Sequence, residues 1–140
     1  MLRHAVATVR YRANKSLRDA HPEFANFRLA ESVRTPVELL AHMGDLFDWA
    51  VELASGSGAW KEAVPLPWDE EIARFHASLD RFDHLLATHE PLSAPDDRLL
   101  QGPVADALTH VGQLATLRRM AGIPIKPENY FKAAIAPGNR

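Results

Sequence analysis

The sequence predicts an all-α fold, a four-helix bundle with a short irregular C-terminal tail. Apolar residues recur at three- and four-residue steps through four long segments, and the gaps between those segments are rich in Pro and Gly. The apolar-polar alternation of a half-buried strand is close to absent.

The first helix is expected from about Leu2 to about Asp19. Leu2, Ala5, Val6, Val9, Ala13 and Leu17 share one face, and His21-Pro22 ends the segment. Its other face is basic and is expected to be solvated. After an irregular link, Thr35-Pro36-Val37-Glu38 is the strongest start signal in the chain, with threonine at the cap, proline at the first helical position and glutamate placed to complete a capping box. The second helix, residues 35–55, carries Leu39, His42, Met43, Leu46, Trp49, Ala50 and Leu53 on one side. It stops at Ser55-Gly56-Ser57-Gly58, where glycine permits a left-handed turn.

A third helix is expected over 69–88, capped by Asp69, with Glu70 and Glu71 favouring the positive end of its dipole. Ile72, Phe75, Leu79, Phe82 and Leu86 form its buried stripe, and His89-Glu90-Pro91 closes it. Ser93 to Gly102 reads as a polar loop with a turn at Pro95-Asp96-Asp97. Gly102-Pro103 then opens the fourth helix, residues 103–121, which buries Val104, Ala107, Leu108, Val111, Leu114 and Ala115 and is closed by Gly122 and Pro124. From about residue 123 onward the tail is expected to be ordered but mostly non-helical. No internal repeat is visible, so residues 1–140 are read as one domain.

Composition narrows the function classes. Sixteen basic and eighteen acidic residues leave a formal charge of -2, with no Lys/Arg block that would track a phosphate backbone, so nucleic acid is not an expected partner. No apolar run has the length of a membrane span or of a signal-peptide core, and a cytoplasmic location is expected. The chain has no cysteine. Any metal must therefore be held by His, Asp or Glu, and any thiol chemistry needs a thiol from outside.

Chemistry is best sought where ionisable side chains intrude on apolar faces, because burying them demands compensation. His42 lies on the line of Leu46, Trp49 and Leu53, so its imidazole is expected to point inward. Asp106 and His110 stand four apart on the last helix, with Gln113 and Leu117 continuing their stripe. Two imidazoles and one carboxylate suit a divalent transition ion (Zn, Ni, Mn or Fe) while leaving coordination positions open. The plainer readings are a hydrogen-bonded core histidine and a helix-surface Asp/His pair. Gln113 is either a residue that holds a ligand or a water in place, or a solvent-side or core-satisfying glutamine. Trp49 either lines a pocket near the centre or fills space, and Trp60 and Trp68 flank the link between helices two and three as covers for the bundle end. His76 and His84, eight apart, are expected to be solvated, and Arg118 and Arg119 to complement the negative end of their own helix rather than to anchor an anionic substrate.

The start of helix two, Thr35-Pro36-Val37-Glu38-Leu39-Leu40-Ala41-His42, joined to Asp106-Ala107-Leu108-Thr109-His110-Val111-Gly112-Gln113 and Leu117-Arg118, resembles the DinB/YfiT-like superfamily of metal-dependent enzymes. The tail from Gly122 to Phe131 is similar to the end of some members. The resemblance spans nearly the whole chain and implies a four-helix bundle in which a helix-two histidine and two late histidines four apart bind one divalent metal. His42 and His110 match two of these, and Asp106 stands where the first late histidine is expected. It also implies a homodimer and thiol-S-transfer, with a low-molecular-weight thiol attacking a small electrophilic substrate. The competing class is a non-catalytic, stress-related binding or interaction bundle whose polar cluster is structural.

Overall fold

The computed structural model describes residues 1–88 and 90–139. Among these, every regular element is helical and no strand occurs. The chain builds α1 (Leu2–Leu17), α2 (Pro36–Ser55), α3 (Trp68–Ala87) and a fourth rod made of α4 (Asp96–Leu99), a π-helical stretch (Leu100–Val104) and α5 (Ala105–Met120). Short 3-10 turns occupy Pro22–Asn26, within the link expected to be irregular, and Tyr130–Lys132 in the tail. The four rods enclose one apolar core centred on Phe47, Phe75, Phe82, Leu40, Leu79 and Leu114.

Local chemistry explains the ends of α2. Glu38 N–H donates to Thr35 Oγ1 at 3.4 Å and Thr35 N–H donates to the Glu38 carboxylate at 2.9 Å, so two otherwise orphaned donors are satisfied reciprocally. At the far end Gly56 takes φ +99°, which lets the N–H groups of Ser57 and Gly58 turn back to the Glu52 carbonyl. Between these ends Leu39, Leu40, Ala41, Met43, Leu46, Phe47 and Ala50 are all buried, more than one stripe can supply. α2 is thus the central rod, packed mainly on α3 and also on α5.

Elsewhere the structure corrects the sequence reading. α3 begins at Trp68 behind an extended Pro67, with no side-chain cap, and Asp69 lies inside the first turn. Trp68 is buried edge-on to Phe24, so packing sets that start. Of the signal expected to end α3, His89 lies outside the described residues, and the helix runs to Ala87. The polar loop expected from Ser93 to Gly102 is helical from Asp96 onward, because Leu99 is fully buried and draws the stretch into the bundle. Pro103, expected to open the last helix, sits within the rod. Lacking an N–H and crowding the carbonyl four residues back, it is accommodated by the wider π-helical turn.

α1 ends at Leu17, two residues early, as Asp19 turns to a left-handed φ of 57°. Its basic face is not simply solvated. Arg10 is buried and paired with Asp80, and Arg3 donates twice to Asp83, at 2.9 and 3.0 Å, so α1 and α3 are cross-linked. The tail returns along the same helix: Tyr11 OH and Lys15 Nζ donate to the Glu128 carboxylate at 2.6 and 2.7 Å. Arg118 does not serve its own helix end alone. From a buried position it donates to the carbonyls of Ile123, Ser16 and Arg18, closing the C-terminal end of α1 against α5. His76, expected in solvent, is half-buried with Nε2 2.7 Å from Asn14 Oδ1, whereas His84 is exposed.

Candidate metal centre

His42 lies in the second turn of α2, and Asp106 and His110 lie one turn apart at the start of α5. Packing of α2 against α5 brings the three together, with one ligand-type atom from each lying within 4.8 Å of the others. His110 Nε2 is 3.4 Å from Asp106 Oδ1, and His42 Nε2 is 3.7 Å from Asp106 Oδ2. The two rings meet edge to face at 4.8 Å between centroids. Burial is graded across the cluster: the side chains of His110, His42 and Asp106 are 9%, 18% and 47% exposed. One side is therefore closed by the bundle and the other, at the carboxylate, opens to solvent.

Both approaches to Asp106 are longer than an ordinary hydrogen bond, and the three side chains could hold a cation between them. Hydrogen bonds between nitrogen and oxygen cluster near ~2.9 Å. Donors bound at about 2.0–2.1 Å around a tetrahedral ion stand roughly 3.3 Å apart. The 3.4 and 3.7 Å approaches reach different oxygens of Asp106, and one ligand-type atom from each residue lies within 4.8 Å of the others, so closing on one ion would draw the three side chains together. Two neutral imidazoles and one carboxylate would also leave a divalent ion with a residual single positive charge, suited to further anionic or polarisable ligands.

His110 Nδ1 is 2.8 Å from Gln113 Oε1, and with Nδ1 as the donor of that bond Nε2 is the ring nitrogen turned toward Asp106. Gln113, left open between two roles by the sequence, faces solvent and also bonds to His110, so it combines both. Burial, then the Arg34 guanidinium and His110, hold His42 below the ordinary imidazole pKa, against a weaker pull from Asp106 and Asp45. Its ring is flanked by Trp60, edge to face at 5.7 Å, and Trp60 in turn meets Trp49 at 5.7 Å. Trp60 therefore covers the centre directly, Trp49 only through it, and Trp68 packs elsewhere on Phe24. Thr109 Oγ1 donates to the Asp106 carbonyl at 2.6 Å and lies 3.4 Å from its carboxylate.

A second polar cluster escaped the sequence reading. Arg74 of α3 binds Asp45, Asp48 and Glu71, and donates to the Ala41 carbonyl at 3.2 Å. Asp45 and Glu71 are buried, and their remaining oxygens accept from Ala63 N–H at 3.1 Å and Leu66 N–H at 2.8 Å. These bonds pin the link between α2 and α3, which carries Trp60. The sequence offered only a partial signal, in that Glu71 shares a helical stripe with Phe75, Ser78 and Phe82 and Asp45 follows His42 by one turn, while the pairing with Arg74 needs two helices to meet. Comparison with protein-family models, with curated proteins and with solved structures finds no match to this chain.

Proposed function

We propose that His42, Asp106 and His110 bind one divalent transition ion (Zn, Ni, Mn or Fe) and that the chain is a metal-dependent enzyme of the DinB-like kind, transferring a low-molecular-weight thiol to a small electrophilic substrate. The observation that carries the metal reading is the convergence of two imidazole nitrogens and a carboxylate from two helices, with His110 already oriented by Gln113. When bound, such an ion lowers the pKa of a thiol or water brought to it. The chain's own residues do the rest. Gln113 fixes the ring of His110, the Trp60 and His110 rings hold His42 between them, and Asp106 places a negative charge on the solvent-facing side. With no cysteine in the chain, the thiol is a cosubstrate. The thiol chemistry and a homodimeric assembly rest on the sequence resemblance.

Calorimetric titration of chelator-treated protein with Zn, Ni, Mn and Fe(II) tests the reading. One ion per chain is expected, lost in His42→Ala and His110→Ala and unchanged in His76→Ala. Binding that ignores His42 and His110, or no binding at all, would leave a structural cluster and a non-catalytic bundle. Sedimentation tests the dimer: a single 15.6 kDa species at tens of micromolar would remove it.

A further inference from the structure

Beside the metal centre a groove of about 800 Å³ runs between α5 and the segment leading into α2. Val33, Leu39 and Leu117 give it apolar walls, and Arg34, Thr109 and Gln113 supply its polar groups. Its volume lies within the range of small-molecule sites, roughly 300–1,000 Å³. Gln113 belongs to both places, since its amide also holds the His110 ring. An occupant of the groove would therefore lie against the residue that orients a metal ligand.

Arg34 is the informative residue. It is exposed, and its side chain has no hydrogen bond or ion pair among the described residues. The nearby Arg28, by contrast, is tied to Glu38 at 2.9 Å and to the Val33 carbonyl at 3.0 Å. A guanidinium left unpaired over an apolar trough presents a planar fork of donors to a carboxylate or a similar group. At Gly112, on the α5 side, the trough is open, for a Cβ built there meets nothing within 4 Å.

We propose that this groove is the substrate site and that its occupant is a small organic anion, with its apolar body in the trough and its anionic group on Arg34. The assignment as substrate rests on the metal-centre reading, whereas the binding itself rests on Arg34 and the groove. The test is an NMR titration of chelator-treated protein with phenylacetate, phenylbutyrate and naphthylacetate, and with the uncharged amides of the same acids. Saturable shifts centred on Thr109, Gly112 and Gln113 are expected. Arg34→Gln should weaken the acids about tenfold and leave the amides unchanged, as loss of one charge-assisted contact predicts. Gly112→Leu should block both, and Gly112→Ala, which adds one methyl to open space, should retain both. Shifts elsewhere, no saturable binding by any acid, or equal affinities in wild type and Arg34→Gln would overturn the proposal. Zinc titration of the same proteins separates the two readings. Acids that bind while zinc does not would remove the metal centre and keep the anion groove, and the reverse pattern would remove only the groove.

Discussion

Asp106 is where this chain departs from the three-histidine pattern that its motifs resemble, and its geometry says what the departure does. The carboxylate faces both imidazoles, at 3.4 and 3.7 Å through its two oxygens, while remaining nearly half exposed. Asp106→His is therefore expected to retain or tighten divalent binding, because it keeps three donors and exchanges an oxygen for a nitrogen that Zn and Ni favour. Gln113→Leu removes the acceptor at His110 Nδ1 and should weaken binding by about 10- to 100-fold while leaving all three ligands in place. Both are read by calorimetry. Proton competition adds a pH dependence: protonated imidazole cannot ligate, so affinity must fall toward acid. Since burial holds the His42 pKa below its ordinary value, proton competition with the proposed ion at His42 is expected only below about 6.5. His42 was legible in the sequence because it interrupts an apolar stripe, and His110 because it stands four residues from Asp106 on one helix face. Arg34 was not, since an exposed arginine before a helix cap carries no signal until the groove beside it is seen.

Among the elements, the α2–α3 pair is joined by its core and by a buried ionic clamp. Arg74 reaches across Gly44, whose absent side chain makes room: a Cβ there would lie 3.1 Å from Arg74 Nη1. In an exposed helix interior, Gly→Ala stabilises by about 1 kcal/mol. Here Arg74 is held by Asp45, Asp48, Glu71 and the Ala41 carbonyl and has little freedom to yield. Gly44→Ala is thus expected to destabilise the protein, and Arg74→Met, which strands two buried carboxylates, to cost about 3 kcal/mol or more. Urea denaturation decides both, and a stabilised Gly44→Ala would show the clamp to be loose. The same scale separates what the sequence revealed from what it hid. The capping box at Thr35 and the glycine stop at Gly56 are local devices, complete within a few residues, and both form as read. The helical start at Asp96 is not local: Pro95-Asp96-Asp97 reads as a turn, and burial of Leu99 against distant partners overrides it. The clamp was hidden for a related reason, as Asp45, Glu71 and Arg74 acquire their meaning only when two helices meet.

Across the whole molecule, the titration of buried imidazoles links stability to pH in a direction that can be worked out. His76 is half-buried between α1 and α3. Burial, then the nearby Arg10, hold its pKa below the ordinary value, against opposing contributions from Asp80 and the Ile72 backbone. His42 is lowered in the same sense, with burial as the largest cause. In the unfolded chain both regain a pKa near ~6.5. Between that value and the lower folded ones, the unfolded state binds more protons than the folded state, so stability rises with pH across the window. The contribution is fully present above the unfolded value and is lost as pH falls through the folded ones. A further loss belongs to lower pH, where Glu38, held below its usual value chiefly by the Thr35 N–H, becomes protonated and the capping box of α2 weakens. The urea midpoint of metal-free protein should therefore start to drop as pH falls through about 6.5, before the carboxylates titrate. His76→Gln, which keeps a donor for Asn14 but cannot gain a proton, should flatten that slope, and His84→Gln, altered at an exposed position, should not. Divalent metal should raise the midpoint at neutral pH by binding only the folded state, and this increment should shrink toward acid as the ligands protonate. A midpoint that rose toward pH 5.5 in metal-free protein, or a slope untouched by His76→Gln, would mean that these two imidazoles do not govern the acid limb of stability.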